Sequence, residues 1–420
     1  MKTRPSLAFG VDGHPAGLLL CEAPEVWRFR ADPAGGAHGQ LPHWSALVQE
    51  GAARGNARAW FRQLLPDAAQ CVRLAHRLGV TPGHEFALLA QLGQDCQGAL
   101  SLTRFGGESV PVPHGSQQPL GDVDLAGLAA ALETGNAALE FDAPGCLLPG
   151  SRGQVPCVLA GEGVALVGGA GNTSTWVARL GREGLEAAVD NEALCMALAA
   201  ELELPVPASR HLPGTVPLLL TARLDRLESP GGIIRRRHIE NFGQLAGLHP
   251  EQAYEREGGL GVSDCADLVR RHSTAPVLDL RALLRWLVYC FLAGIGQAHA
   301  RHLFLVALPT GPRLAFGGGL LSTHVYPALS ERMAMRIGGE DRPDWIRLAR
   351  WLDMARELGV GRRYMLGLLE EMATALPRAA ERAAATLGEA ARTSALLPRI
   401  LRLVANRARQ TTIALAAERA

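Results

Sequence analysis

Lysine is nearly absent: Lys2 is the only one in a chain of 420 residues, and almost every other cation is arginine. Any phosphate contact then falls to guanidinium rather than ammonium, and the two are not equivalent at such a site. Long apolar runs are missing too. No stretch of about eighteen apolar residues suggests a membrane span, and the opening Met1-Lys-Thr-Arg-Pro-Ser6 lacks the apolar segment of a secretion signal; no membrane association is expected. The eight cysteines form no Cys-x-x-Cys pair, which points to reduced thiols and a cytoplasmic protein. Charge of one sign is not in excess. A formal net charge of +1 excludes chain-wide attraction to nucleic acid and leaves only local patches. Neither a repeat of solenoid length nor a convincing helix-turn-helix signature is found.

What is present is concentrated in Gly294-Ile-Gly-Gln-Ala-His-Ala-Arg-His302. Before it, Leu280, Leu283, Leu284, Leu287, Val288, Phe291 and Leu292 recur at helical spacing. After it come an apolar run from Leu303 to Leu308, a turn at Pro309-Thr-Gly-Pro312 and a second short run from Arg313 to Phe316. Buried helix, polar loop and hairpin in that order are the usual mount of a phosphoryl-transfer site.

The loop resembles that of the HipA family, the serine/threonine kinase-like toxins of bacterial toxin–antitoxin modules, which reads approximately N-x-D-x-H-x-K-N. By that resemblance Ile295 stands at the first Asn and Gln297 at the catalytic Asp. His299 is kept, Arg301 replaces the Lys, and His302 replaces the metal-binding Asn. Downstream the family reads approximately R-L-x-P-x-Y-D-L-x-S-T, and this chain has Arg313-Leu-Ala-Phe-Gly-Gly-Gly-Leu-Leu-Ser-Thr323, with Gly319 at the second metal-binding Asp. The family strand S-T-H-I-L-K appears as Ser174-Thr-Trp-Val-Ala-Arg179, so Arg179 takes the place of the phosphate-contacting Lys. Its partner Glu survives as Glu192 in Asn191-Glu-Ala-Leu-Cys-Met196, similar to N-E-x-x-C-M. The glycine-rich segment, approximately S-L-x-G-x-Q-x-K, appears as Leu147-Leu-Pro-Gly-Ser-Arg-Gly-Gln154, with Gly150 kept, the family's Ser and Lys absent, and Gly150 and Gly153 counted among the nucleotide-lobe positions. Arg223-Leu-Asp-Arg226 resembles R-F-D-R, and places Leu224 among the nucleotide-lobe positions. Further matches are Leu64-Leu-Pro-Asp67, Arg237 to Leu245 and Tyr254 to Gly259, so the likeness runs through nearly the whole chain.

The resemblance implies a mixed α/β, protein-kinase-related fold with lost chemistry. A catalytic Asp orients the substrate hydroxyl and takes its proton; Gln297 is neutral and can only orient. Magnesium needs hard anionic oxygen. Gly319 offers no side chain, and His302 is a softer nitrogen donor suited to zinc or nickel. Metal binding at His302 and Gly319 is therefore not expected, and the cofactor is ATP without magnesium, or none. Drift in arginine usage accounts for Arg179 and Arg301 but not for Gln297, His302 or Gly319. The expected function is a pseudokinase that binds or regulates within a toxin–antitoxin type system. Its partners would be a HipB-like helix-turn-helix antitoxin or an active HipA homologue, with nucleic acid reached indirectly or weakly. The alternative is an active serine/threonine kinase or other ATP-dependent transferase working with non-standard residues.

Texture divides the chain into a small N-terminal domain (1–105), a linker and nucleotide-type lobe (106–220) and a helical lobe (221–420). Ser109 to Pro119 reads as a mobile connection and Val123 to Leu139 as an inserted helix. In the first domain, Ala69, Val72, Leu74, Ala75 and Leu78 give a helix a buried face. His299 is expected to be a hydrogen-bonded structural residue and His302 an exposed one, rather than zinc ligands. Ile233-Ile-Arg-Arg-Arg-His238 is read as a solvated strand edge, and Ala391 to Ala416 as an amphipathic helix carrying Arg399, Arg402, Arg407 and Arg409.

Overall fold

The computed structural model describes residues 5–32, 41–49, 57–105, 117–119, 127, 149, 154–160, 163–167, 173–181, 184–214, 216–228 and 233–419. Gly150, Gly153, the Ser109–Ser116 part of the connection and the inserted helix, apart from Gly127, lie outside these residues. Two compact units emerge: residues 1–180, 220–250 and 306–309 in one, and 181–219, 251–305 and 310–420 in the other.

In the first unit, β1 (Ser6–Val11), β2 (His14–Ala23), β3 (Val26–Ala31) and β4 (Leu100–Arg104) form an antiparallel sheet in the order β3-β2-β1-β4. Alternation along β1 sends Leu7, Phe9 and Val11 to one face, as a period of two requires. That face packs on helices α1 (Arg58–Arg62), α2 (Ala68–Arg77) and α3 (Glu85–Leu92). Phe9, Phe29 and Phe61 meet edge to face, and Trp27 meets Phe86 at 5.3 Å. The expected face of α2 needs correction. Leu74 and Ala75 are buried, but Ala69 is exposed and Val72 is 43% exposed. The face that packs is Cys71, Leu74, Ala75 and Leu78, spaced i, i+3, i+4, i+7, and Val72 falls to one side of it.

A second sheet in this unit contains β5 (Gln117–Pro119), β6 (Gln154–Ala160), β7 (Gly163–Val167), β8 (Trp176–Arg179) and β9 (Leu218–Ala222), ordered β5-β7-β6-β8-β9. After β9 a two-stranded ribbon follows, β10 (Arg226–Glu228) against β11 (Ile234–Arg236). The basic run at Ile233–His238 is only partly a solvated edge. Ile233 and Arg235 are exposed, but Arg236 turns inward and donates to the Gln94 and Leu100 carbonyls. His238 is buried against Glu240 at 2.9 Å, where Glu240 also accepts from the Trp60 indole.

The second unit is helical. α4 (Ala188–Glu201), α5 (Val262–His272), α6 (Pro276–Ala293), α7 (Leu348–Glu357), α8 (Arg362–Ala385) and α9 (Leu396–Arg419) surround the apolar helix α6. β12 (Leu303–Leu308) and β13 (Gly311–Phe316) pair as a hairpin across two residues. Buried Asp279, near the start of α6, accepts from Arg313 Nε and Nη2, from the Leu314 N–H and from Ser273 Oγ. One carboxylate thus fixes β13 to the helix that delivers the loop. Tyr289 donates to the Cys195 carbonyl at 2.6 Å, tying α6 to α4. Cys195 and Cys290 are fully buried, and the seven described cysteines are all free. Among the described residues no helix is long and apolar enough to cross a membrane.

Candidate functional site

Gly294 stops α6 with φ +72°, and the Ile295 N–H closes back on the Cys290 carbonyl at 2.8 Å. Glycine pays no Cβ penalty in that conformation, so the chain leaves the helix abruptly into the loop. Ile295 and Ala298 are buried; Gln297 and His299 are half-buried.

Three residues downstream of the hairpin clasp this loop. Gly296 N–H donates to Thr323 Oγ1 at 2.9 Å, and His324 N–H donates to the Gly294 carbonyl at 3.2 Å. Ser322 Oγ donates to the Ala293 carbonyl at 2.7 Å. The Ser322 backbone is itself held on both sides by Asn191, which accepts from its N–H at 2.9 Å and donates to its carbonyl at 3.0 Å. The Tyr326 hydroxyl lies against the same amide at 3.3 Å. These groups are buried, where an unmade bond would cost about 1–3 kcal/mol, so the loop backbone is fixed. A Cβ on Gly296 would sit 2.7 Å from His324 Nε2, 2.8 Å from Thr323 Oγ1 and 3.0 Å from the Arg332 carbonyl. Gly296→Ala is therefore expected to lower unfolding free energy by about 1–3 kcal/mol in a urea titration, and an unchanged midpoint would contradict this packing.

Arg407, read from sequence as one of a row of helix cations, is instead half-buried. It donates to the Phe291 carbonyl at 2.5 Å and lies 2.9 Å from His324 Nδ1. Burial lowers its pKa to about 10. Since guanidinium has no acceptor, Nδ1 of His324 must accept, and its proton sits on Nε2. Burial, then the Arg407 charge, pulls His324 down to about 3. His299 is also held well below its ordinary value, by burial first and then by His302 and Arg301. Both imidazoles are neutral when folded and free to protonate near 6.5 when unfolded. Their contribution is thus complete above about pH 6.5 and shrinks as pH falls below it. Between pH 7.5 and 5.5 wild type is expected to lose about 1 kcal/mol more than His324→Gln, whose amide oxygen can still accept from Arg407. Parallel urea midpoints at the two pH values would refute the assignment.

Gln297 lies in the loop, and its carbonyl accepts from the His299 N–H at 2.9 Å. Arg301 and His302 form the 3-10 turn Ala300–His302. His299 packs between Tyr254, edge-on at 5.5 Å, and His302 at 4.6 Å, with Nδ1 buried and lacking a hydrogen-bond partner. The expectation of an exposed His302 is corrected accordingly, since that residue is half-buried, while His299 is also held by ring packing. The His302 carbonyl accepts from the Gly317 N–H at 2.7 Å, which brings His302 beside the loop carrying Gly319. That pair does not fit magnesium, since one member is a nitrogen donor and the other has no side chain. Among the described residues no group of three or more His, Cys, Asp or Glu is arranged to hold a metal ion. Arg179 closes β8 in the first unit, half-buried and opposite Gln154; Glu192 is buried on α4 in the second; Leu224 is half-buried in the turn between β9 and β10. Asn191, Ser322 and Thr323 were not singled out from sequence, although they stand within the N-E-x-x-C-M and S-T motifs.

Asp225, the acid within Arg223-Leu-Asp-Arg226, is held by ion pairs inside the first unit. It accepts from Arg223, Arg226 and the Gly98 N–H, while Asp95 accepts from Arg223, Arg226 and Ser174.

Profiles of known families match two segments: the HipA N-terminal domain over residues 8–103 and the HipA-like C-terminal domain over residues 150–380. The putative kinase Y4mE of Sinorhizobium fredii is 33% identical over 336 residues, 78% of this chain and 80% of that protein. The serine/threonine-protein kinase toxin HipA of Shewanella oneidensis is 26% identical over 332 residues, 75% of this chain and 74% of its own. Among solved structures, the complex of the Shewanella oneidensis toxin–antitoxin system HipA, HipB and its operator DNA aligns with a TM-score of 0.77 at 19% identity, covering 98% of both chains, a likeness of fold.

Proposed function

The chain belongs to the HipA family, and from that premise we propose that it is a pseudokinase which binds and regulates a partner instead of transferring phosphate. One observation carries the reading: the backbone of the loop is held by an intact set of buried bonds, while the side chains that would do chemistry are exchanged. Gln297 stands where a base would be, and His302 and Gly319 stand where metal ligands would be. Positioning and electrostatic stabilisation make up nearly all of phosphoryl-transfer catalysis, so losing the metal and the carboxylate together removes the reaction, not merely its rate optimum. Retention of the scaffold favours a role in recognition. The partner would be a HipB-like helix-turn-helix antitoxin or an active homologue of the family, with DNA engaged through that partner, in a toxin–antitoxin type system. ATP, if held, is held without magnesium.

Calorimetric titration with ATP, with and without magnesium, beside a labelled-ATP transfer assay, tests the proposal. Nucleotide binding indifferent to magnesium, or none, with no labelled protein, is the expected result. Magnesium-dependent binding with transfer abolished in Gln297→Ala would overturn it in favour of a transferase built from non-standard residues.

A further inference from the structure

On the surface of the second unit, well along the chain from the loop, lies a groove of about 670 Å³ lined by Gly361, Arg363, Tyr364, Gly367, Leu368 and Glu371 of α8 and the turn before it. Helix α6 runs beside it, since Arg285 pairs with the lining residue Glu371. Burial raises the Tyr364 phenol, and the charges of Arg281 and Arg285 pull the other way. Val277 and Leu278 precede Arg281 by four and three residues, so they share its face of α6. Both are out in water, 80% and 59% exposed, and Tyr364 is 41% exposed. Two adjacent large apolar residues at a helix start, on the helix face that carries Arg281, are exposed beyond what a single stray side chain would be.

The charges are unequal. Glu371 is paired with Arg285, whose other nitrogen donates to the Leu202 carbonyl at 3.1 Å. Arg281 and Arg363 have no ion-pair partner among the described residues, which leaves two uncompensated cations. Gly367 lies inside α8, where glycine weakens a helix relative to alanine, and a Cβ built there meets nothing within 4 Å. The helix thus gives up stability at the residue that keeps the groove open.

We propose that this α6–α8 groove docks an acidic peptide segment of a protein partner, an apolar side chain seated on Tyr364, Val277 and Leu278 and flanking carboxylates on Arg281 and Arg363. This rests on the partner-binding reading above and adds where and by what chemistry the partner is held. Tyrosine and arginine are the residue types that dominate binding energy at such surfaces.

The test uses the full chain and a fluorescein-labelled twelve-residue peptide of Glu and Asp around a central Leu-Trp pair, followed by anisotropy. Binding is expected to weaken about tenfold or more in Tyr364→Ala and in the pair Arg281→Glu with Arg363→Glu, and to fall with added salt. Gly367→Ala is a separate check: the melting temperature should rise by about 1–2 °C while peptide affinity falls, a combination that mere loss of structure cannot give. No binding to the acidic peptide, equal binding to its Lys-substituted counterpart, or unchanged affinity in all three variants would overturn the proposal. So would a preference for anionic lipid vesicles over the peptide. None of these readouts involves nucleotide, so failure here is distinct from failure of the pseudokinase reading, which the ATP assays report.

Discussion

Arg226→Ala is expected to lower the unfolding free energy by about 3–5 kcal/mol, the cost of leaving buried carboxylates without a cation. The Arg226 side chain is 1% exposed. Its Nη2 donates to Asp95 Oδ1 at 2.6 Å and to the Cys96 carbonyl at 2.9 Å; its Nη1 donates to the Gly98 carbonyl at 2.8 Å and lies 2.9 Å from Asp225 Oδ2. Arg223 meets the same two carboxylates from the other side, at 3.0 and 2.9 Å. Burial alone would raise both acids. The surrounding arginines outweigh it, with Arg223 and Arg226 acting on both and Arg236 adding to Asp95, and both carboxyls sit below their usual range. A depressed folded pKa means the stabilisation is whole above the unfolded value near 4 and fades as pH falls below it. In Arg226→Ala the acid-dependent loss should start near the same pH but be smaller and end at higher pH, because the remaining cations depress the two carboxyls less strongly. Arg226→Lys should recover little, since one ammonium cannot reach four acceptors spread over two loops. The contrast is Arg356→Ala, a 78% exposed helix residue paired with Asp353, where the change should stay below about 0.5 kcal/mol. Urea unfolding of the four proteins decides it. A loss under 1 kcal/mol for Arg226→Ala would mean the network does not hold the first unit together.

The legibility of these features from sequence varied with their range. Helix α6 was readable because its apolar residues repeat within a few positions, and so was the β12–β13 hairpin, whose second strand begins two residues earlier than the turn signal suggested. Motif resemblance located the loop and the exchanged side chains. Arg223-Leu-Asp-Arg226 is legible as a motif but its ion pairs are not: Asp95 lies 128 residues from its partner Arg223, and no periodicity links them. Arg407 shows the limit from the other direction. On a helix already rich in arginine it looked like one more surface cation, whereas the carbonyl of Phe291 and the ring of His324 supply a half-buried seat that only the tertiary structure reveals. The α2 face failed for a smaller reason. Val72 was grouped with true core residues because six apolar positions in ten allow two overlapping stripes, and packing chose the one with Cys71.

Restoring the loop's acids should proceed in a definite order. Gln297→Asp alone is expected to yield no labelled product, because a base beside an unneutralised triphosphate has nothing to stabilise the charge that develops in transfer. The pair His302→Asn with Gly319→Asp is expected to make ATP binding depend on magnesium, by at least about tenfold or 1.4 kcal/mol, since it returns two oxygen donors to adjacent sites. The Gly317 N–H on the His302 carbonyl already holds those sites together. Gly319 has φ +82°, a conformation that asparagine and aspartate tolerate better than other residues, at a cost of about 1–2 kcal/mol. The triple variant is then the one in which phosphotransfer should appear, at least about 10³-fold above Gln297→Asp. Wild-type protein that already transfers phosphate, or a triple variant that gains magnesium-dependent binding without transfer, would give opposite lessons. The first would show that Gln297 or another group serves as the catalyst. The second would place the remaining lesion at Arg179, the other position where the family's phosphate-contacting side chain is exchanged.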